Sequence, residues 1–365
     1  MKKGSSTLTR MRVRRGVRSV SAKSKAIAAC SLTASLAAVV LASACASSTP
    51  DGEGEPTSDG GTVDETRADA ATADDRAVTP PTDARDDVDA RDDAAPVTCP
   101  VCTYPGAPTS AGTIGNAALT EISGLAASRR HAGVLYAHND SGDTPRIFQL
   151  GTDGSTKGIL TVQGATAVDW EDIAVGPCGT SSCVFVADIG DNGRSRTDLE
   201  ICRFAEPALG DGTVTADAFS VMYPSGATDA ESLVVDAKGA LYIVTKETFG
   251  PVTLLALGVP GAAGTTLVAR AAGTVTPPNL GIPAVTGADF FPGPCPRLAL
   301  RTYATVLLFE GVAGDGPEEL FKKPFRTLSA PTETQGEAVA FASDGRSLFT
   351  ASEGTNVPLH RYACP

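Results

Sequence analysis

The sequence predicts an all-β protein, a five-bladed β-propeller preceded by a disordered tether. Three observations predict it. A pattern of paired apolar runs recurs five times between residues 120 and 365. Turn formers are abundant, with 38 Gly and 25 Pro, while aromatics are only 5% of residues. No stretch carries a convincing 3.6-residue apolar period, which disfavours a helical bundle or an α/β enzyme fold.

Residues 1–44 read as an export signal. Lys2, Lys3, Arg10, Arg12, Arg14, Arg15, Arg18, Lys23 and Lys25 form a basic leader without acids. Ala26 to Leu41 is apolar or small, broken only by Ser, Thr and Cys30. The run ends in Leu41-Ala42-Ser43-Ala44-Cys45, which resembles a bacterial lipoprotein lipobox, with Ala42 where that family prefers Leu. The resemblance implies lipidation of Cys45 and a location on a bacterial membrane surface. Ala42-Ser43-Ala44 also fits an ordinary signal peptidase site.

Residues 45–98 follow as a linker. Positions 46–98 hold 15 acids against four bases and almost no large apolar side chains. Such a segment buries too little apolar surface to offset its chain entropy, and its like charges extend it. It is expected to act as a tether for residues 99–365, the propeller domain. That domain carries 27 acids and 17 bases, a balance that argues against a nucleic-acid partner. A monomer is expected, anchored to the membrane through its N-terminal lipid.

Export also sets the expectation for cysteine. Cys99, Cys102, Cys178, Cys183, Cys202, Cys295 and Cys364 lie in the domain, and an oxidising compartment favours disulfides. Cys178 and Cys183 flank a short turn and are expected to pair. Two more bridges are expected among Cys99, Cys102, Cys295 and Cys364, with Cys202 left as a buried thiol.

The five repeats begin near Ser123, Trp170, Ala230, Gly287 and Gly336. Each holds two apolar runs joined by a turn, then a third run. Fourth strands are expected near 158–163, 214–223, 265–272 and 320–328. The last repeat has none, so Thr113–Leu119, ahead of the first repeat, is expected to complete it. Repeats of about 50 residues with interlocking ends describe a propeller. A six-bladed ring is the alternative if residues 258–284 hide a further strand set.

In such a blade the start of the first strand and the end of the second share one face. Ser123, Glu171, Glu231 and Glu337 occupy equivalent first-strand positions, two before Leu125, Ile173, Leu233 and Val339; Ala288 holds that place in the fourth repeat. Asp172 adjoins Glu171. Second-strand ends add His138, Asn139, Asp140, Asp188, Asn192, Lys246, Arg301 and Glu353. One channel mouth therefore collects carboxylates, whose repulsion calls for a cation, and Ca²⁺ suits irregular oxygen ligands.

The motifs Ala137-His138-Asn139-Asp140-Ser141-Gly142, Asp169-Trp170-Glu171-Asp172 and Asp188-Ile189-Gly190-Asp191-Asn192 resemble those of exported bacterial propeller proteins of unassigned function. The layout is more distantly similar to the calcium-dependent apyrases. That resemblance implies Ser123, Glu171, Glu231 and Glu337 as metal contacts, and Lys246 and Arg301 as phosphate contacts. Other signatures fail. The loop from Asp188 lacks the EF-hand ligands at positions three and twelve, and no G-x-S-x-G or H-E-x-x-H occurs. Two function classes follow. One is a metal-dependent hydrolase of phosphate or carboxylate esters, with His138, Asp140, Asp172 and Arg301 as catalytic candidates. In this reading Asn139, Asp188, Asn192, Lys246 and Glu353 hold a small anionic ligand. The other is a non-catalytic surface module that binds a ligand or protein at the same mouth.

Overall fold

A computed structural model describes Met1, Cys99 and residues 101–364. The export signal, Cys45 and the linker lie outside the described residues. Apolar runs, buried along the inner strands, fold the domain into five sheets arranged as blades. Strand β1 (Thr109–Ile114) is set aside for ring closure. The first blade holds β2 (Ile122–Ala127), β3 (Val134–Asn139), β4 (Arg146–Gly151) and β5 (Thr156–Gln163). The second holds β6 (Trp170–Cys178), β7 (Ser181–Asp188) and β8 (Glu200–Ala205), then, beyond β9 (Gly212–Thr215), β10 (Asp217–Met222). The third holds β11 (Ala230–Val235), β12 (Leu241–Thr245) and β13 (Val252–Gly258), then, beyond β14 (Thr266–Val268), β15 (Arg270–Val275). The fourth holds β16 (Val285–Phe291), β17 (Arg297–Thr302), β18 (Thr305–Glu310) and β19 (Phe325–Ser329), with a single helical turn, α1 (Pro317–Leu320), before its last strand. The fifth holds β20 (Gly336–Phe341), β21 (Leu348–Ser352) and β22 (Val357–Tyr362).

The fifth blade is completed by β1, which pairs antiparallel with β22. The closing strand therefore exists but starts before residue 113. Residues beyond Ile114 turn instead, with the Leu119 N–H donating to the Asn116 carbonyl at 3.0 Å and Leu119 fully buried. Inner strands β2, β6, β11, β16 and β20 each pack against the next around a closed ring. The core divides accordingly into five apolar clusters, each drawing on two neighbouring blades. Phe185 and Ile201 of the second blade meet Leu233 and Ile243 of the third, for example. Residues 258–284 hold no sixth blade; they supply β14 and β15 and connecting loops.

Two expected fourth strands are each split in two. Residues 214–223 divide into β9 and β10, and 265–272 into β14 and β15. In both cases the first piece pairs parallel with the outer strand of the preceding blade, β9 with β5 and β14 with β10. Neighbouring blades are thus stitched along their rims, which covers otherwise open sheet edges.

Three disulfides form: Cys178–Cys183, Cys99–Cys295 and Cys102–Cys364, with Cα separations of 5.7, 5.4 and 5.1 Å. Cys202 is a free, buried thiol. The two long-range bridges tie the segment entering β1 to the fourth blade and to the end of the fifth.

Candidate functional site

Every inner strand carries a one-residue irregularity at the same place. The register between first and second strands skips Ser123, Glu171, Glu231, Thr286 and Glu337. A bulged residue is released from the ladder and its side chain can be re-aimed. The ring therefore presents three carboxylates and two hydroxyls at one level. This corrects one sequence alignment: Thr286, not Ala288, is the fourth-blade equivalent. Matching the apolar runs placed Phe290 where the bulge places Ala288.

The two hydroxyls link the ring. Ser123 Oγ donates to the Glu171 carbonyl at 2.6 Å, and Thr286 Oγ1 lies 3.4 Å from the Glu337 carbonyl as donor. The Glu171, Glu231 and Glu337 residues are each 3% exposed. Lys246 forms an ion pair with Glu231 and lies 5.9 Å from the centre of the Tyr303 ring. Glu337 Oε1 accepts from Gln335 Nε2 at 3.0 Å. Glu231 Oε2 and Glu337 Oε2 are buried without a hydrogen-bond partner.

Around this ring stand Asp140, Asp169 and Glu353. Asp140 follows β3, its N–H donating to the Glu121 carbonyl at 2.7 Å. Asp140, Asp169 and Glu171 bring carboxylate oxygens within 4.8 Å of one another, as do Asp140, Glu337 and Glu353. Gly190 makes room for the first group: a Cβ there would lie 2.0 Å from Glu171 Oε1 and 2.5 Å from Asp169 Oδ2.

Crowding and burial raise the affinity of these groups for protons. Burial, then Glu231 and Glu353, push Glu337 up to about 9. Burial pushes Glu231 to about 8 against the pull of Lys246. Glu171 is held well above the carboxylate range by burial, then by Glu231, Asp140 and Asp169. Asp140 rises to about 6 through burial, and Asp169 and Glu353 rise for the same first reason. Oxygen-only donors, two of them unpaired, fit a hard divalent cation better than a thiophilic one.

Several expected site residues have other roles. Asp172 is fully buried; Oδ2 accepts the N–H groups of Leu233 and Ala288 at 2.8 and 3.1 Å, and Oδ1 accepts its neighbour Ile173 at 2.9 Å. It joins three inner strands and does not face the mouth as a catalytic acid. His138 is also fully buried, with Nδ1 donating to the Asn139 carbonyl at 2.9 Å and its ring edge-on to Trp170. Burial lowers its pKa to about 4, so it is a neutral packed imidazole rather than an accessible base. Arg301 is fully buried and forms an ion pair with Glu333, closed to any phosphate.

The proposed anion contacts fare similarly. Asn139 Oδ1 accepts from the Thr120 and Glu121 N–H groups, and its Nδ2 donates to Ala118 and Asp143. Asp188 accepts from Thr166, Val168, Asp169 and Arg196. Both are loop braces. Asn192 is exposed on the loop after β7. Lys246 and Glu353 do join the mouth, as do Ser123, Glu171, Glu231, Glu337 and Asp140. Sequence reasoning missed Thr286, Tyr303 and Gln335. Gln335 lies two residues before Glu337, and its amide reaches both Glu337 and Glu353.

No family model matches this chain, and no curated protein matches it. Solved structures do. The PQQ-bound aldose sugar dehydrogenase of Streptomyces coelicolor aligns at 12% identity and TM-score 0.41, covering 72% of this chain and 99% of its own. The Malassezia sympodialis allergen Mala s 1 aligns at 12% identity and TM-score 0.42, covering 72% and 96%. The RRP9 WD40 repeats align at 9% identity and TM-score 0.38, covering 71% and 99%. Likeness at this level says nothing about chemistry.

Proposed function

We propose that the protein is an exported, lipid-anchored propeller whose channel mouth holds a divalent cation, Ca²⁺ by its donor chemistry, and presents it to a surface ligand or partner. The observation that carries this reading is the set of bulge carboxylates, Glu171, Glu231 and Glu337, with buried unpaired oxygens on the last two. Like charges at this density need protons or a cation, and Ca²⁺ accepts six to eight oxygens in irregular geometry. Binding without bond breaking is favoured because His138 and Arg301 are buried and engaged elsewhere. Export and anchoring rest on the residues from Lys2 to Cys45.

A second reading, hydrolysis of a phosphate or carboxylate ester, is supported by Asp140. It is partly exposed and held near about 6, a value suited to activating water near neutral pH. A phosphatase, nucleotidase and esterase panel, run with Ca²⁺ and with chelator, separates the two. Ca²⁺-dependent turnover lost in Asp140→Asn favours hydrolysis. Ca²⁺ that raises the unfolding temperature without turnover favours the binding module. Absence of both effects would overturn both readings. For the anchor, Cys45→Ser should move the protein from the membrane to the soluble fraction; continued membrane association would refute lipidation there.

A further inference from the structure

We propose that Arg301 of the fourth blade is a positioning residue that holds Glu337 of the fifth in place at the channel mouth. This rests on the cation-binding reading above, in which Glu337 is a ligand, and deepens it. A bulged ligand needs such a hold. The register between β20 and β21 shifts between Gly336 and Ala338, so Glu337 is released from the ladder and strand pairing does not fix its place. Yet Glu337 is 3% exposed, its Oε2 is buried without a hydrogen-bond partner, and its carboxylate stands with those of Asp140 and Glu353.

The fourth blade supplies the hold. Arg301, on β17, is fully buried. Its Nη2 donates to Glu333, and its Nε donates to the Gly336 carbonyl at 3.4 Å. Between those two contacts lies Gln335, whose amide reaches the carboxylates of Glu337 and Glu353 at 3.0 and 2.8 Å. One guanidinium therefore grips the chain on both sides of Gln335, immediately before Glu337. Thr286 of β16 adds its hydroxyl, 3.3 Å from the Gly336 carbonyl and 3.4 Å from that of Glu337. Close packing completes the grip. A Cβ at Gly336 would collide with Arg301 Nη2 and lie 2.5 Å from Glu333 Oε2, and one at Gly287 would lie 2.5 Å from the Glu337 carbonyl oxygen.

Stability alone does not account for the Arg301–Glu333 pair. Taking two charges out of water costs about what their attraction returns, so a buried ion pair is weak evidence for a stabilising role. Geometry accounts for it better. The planar guanidinium reaches a carboxylate and a carbonyl at once, whereas an ammonium is a single point charge. The other two bulge carboxylates are held differently: Glu231 by its ion pair with Lys246, and Glu171 by the Ser123 hydroxyl on its carbonyl.

Calorimetric titration of the purified chain with Ca²⁺, after chelation and dialysis, tests this. Arg301→Lys keeps a charge opposite Glu333 and loses the grip on Gly336. Its Ca²⁺ affinity should fall about tenfold or more, the usual loss when a residue supporting a metal ligand is removed. In a Glu337→Gln background the same substitution should weaken binding no further, because its route to the ion is gone. The Cys102→Ser, Cys364→Ser double variant is the control for lost stability and should keep wild-type affinity. Wild-type affinity in Arg301→Lys, an equal loss in the control, or a further loss in the Glu337→Gln background would overturn the positioning role and leave the cation-binding reading intact. No Ca²⁺ binding by wild type would overturn both. If Arg301→Lys does not fold, Glu333→Asp decides: it keeps the charge, draws the carboxylate back from Arg301, and must weaken Ca²⁺ binding in the same way.

Discussion

The carboxylate of Asp172, on the inner strand of the second blade, accepts the backbone N–H of Leu233 on the inner strand of the third at 2.8 Å. The same oxygen accepts Ala288 of the fourth blade at 3.1 Å. One side chain thus satisfies main-chain donors on the inner strands of two other blades. Beneath an acidic mouth, this contact fixes the spacing of three inner strands.

Asp172→Ala should therefore destabilise the domain strongly. It leaves three buried N–H groups without their acceptor, those of Leu233, Ala288 and Ile173, at about 1–3 kcal/mol each. Asp172→Asn keeps an acceptor oxygen and removes a buried charge, so it should cost less. Urea denaturation of the two variants checks the order; equal stability of Asp172→Ala and wild type would refute the bracing role.

Stability of the cation-free protein should fall as pH rises from about 7 to 9. Glu337 holds its proton up to about 9 in the fold, whereas an unfolded Glu releases its proton at about 4.3. The folded state then binds more protons than the unfolded one, so raising pH favours unfolding. His138, lowered to about 4, acts in the opposite direction but only below this window. Thermal melts in chelator should show the decline, and Ca²⁺ should flatten it by displacing the protons.

Gly190→Ala should separate cation binding from folding. Its methyl group would collide with Glu171 Oε1 and Asp169 Oδ2, both of which can rotate away. Ca²⁺ affinity should fall tenfold or more, about 1.4 kcal/mol, while the melting temperature in chelator changes little. Unchanged affinity would show that the glycine shapes nothing at the mouth.

The Cys102–Cys364 bridge should be a major source of stability. It spans 262 residues and fastens the segment before β1 to the end of the fifth blade. Closing so long a loop contributes about 5 kcal/mol in the chain-entropy model. The Cys102→Ser, Cys364→Ser double variant should unfold at markedly lower denaturant concentration, while Cys202, fully enclosed, stays unreactive to thiol reagents until unfolding. A loss below about 1 kcal/mol would place the closure energy in the β1–β22 pairing instead.

The blade count, the existence of a closing strand, the Cys178–Cys183 pair and the membership of the other two bridges were legible because they follow from repeats, an orphan strand and the face on which each strand ends; which of Cys99 and Cys102 meets Cys364 was not. The bulges were not. A bulge adds one residue without changing the apolar pattern, so alignment on Phe290 displaced Thr286 by two positions. Nor did strand-end position reveal burial. Arg301 and His138 sit at strand ends like Lys246, but Glu333, from the loop before β20, covers the first, and Gly124 lets the second fold inward, where a Cβ would lie 2.3 Å from His138 Nε2. Both depend on partners from distant segments. The rim strands β9 and β14 escaped notice because a single residue, Ala216 or Ala269, separates each from the strand after it.

Equilibrium dialysis of the purified chain against labelled Ca²⁺, compared with a Glu171→Gln, Glu337→Gln double variant, tests the acidic mouth most directly. The two substitutions keep side-chain shape and remove the charges on both sides of Asp140. The account predicts saturable binding by wild type that is lost in a folded double variant. Absence of binding by wild type, or equal binding by both proteins, would contradict it.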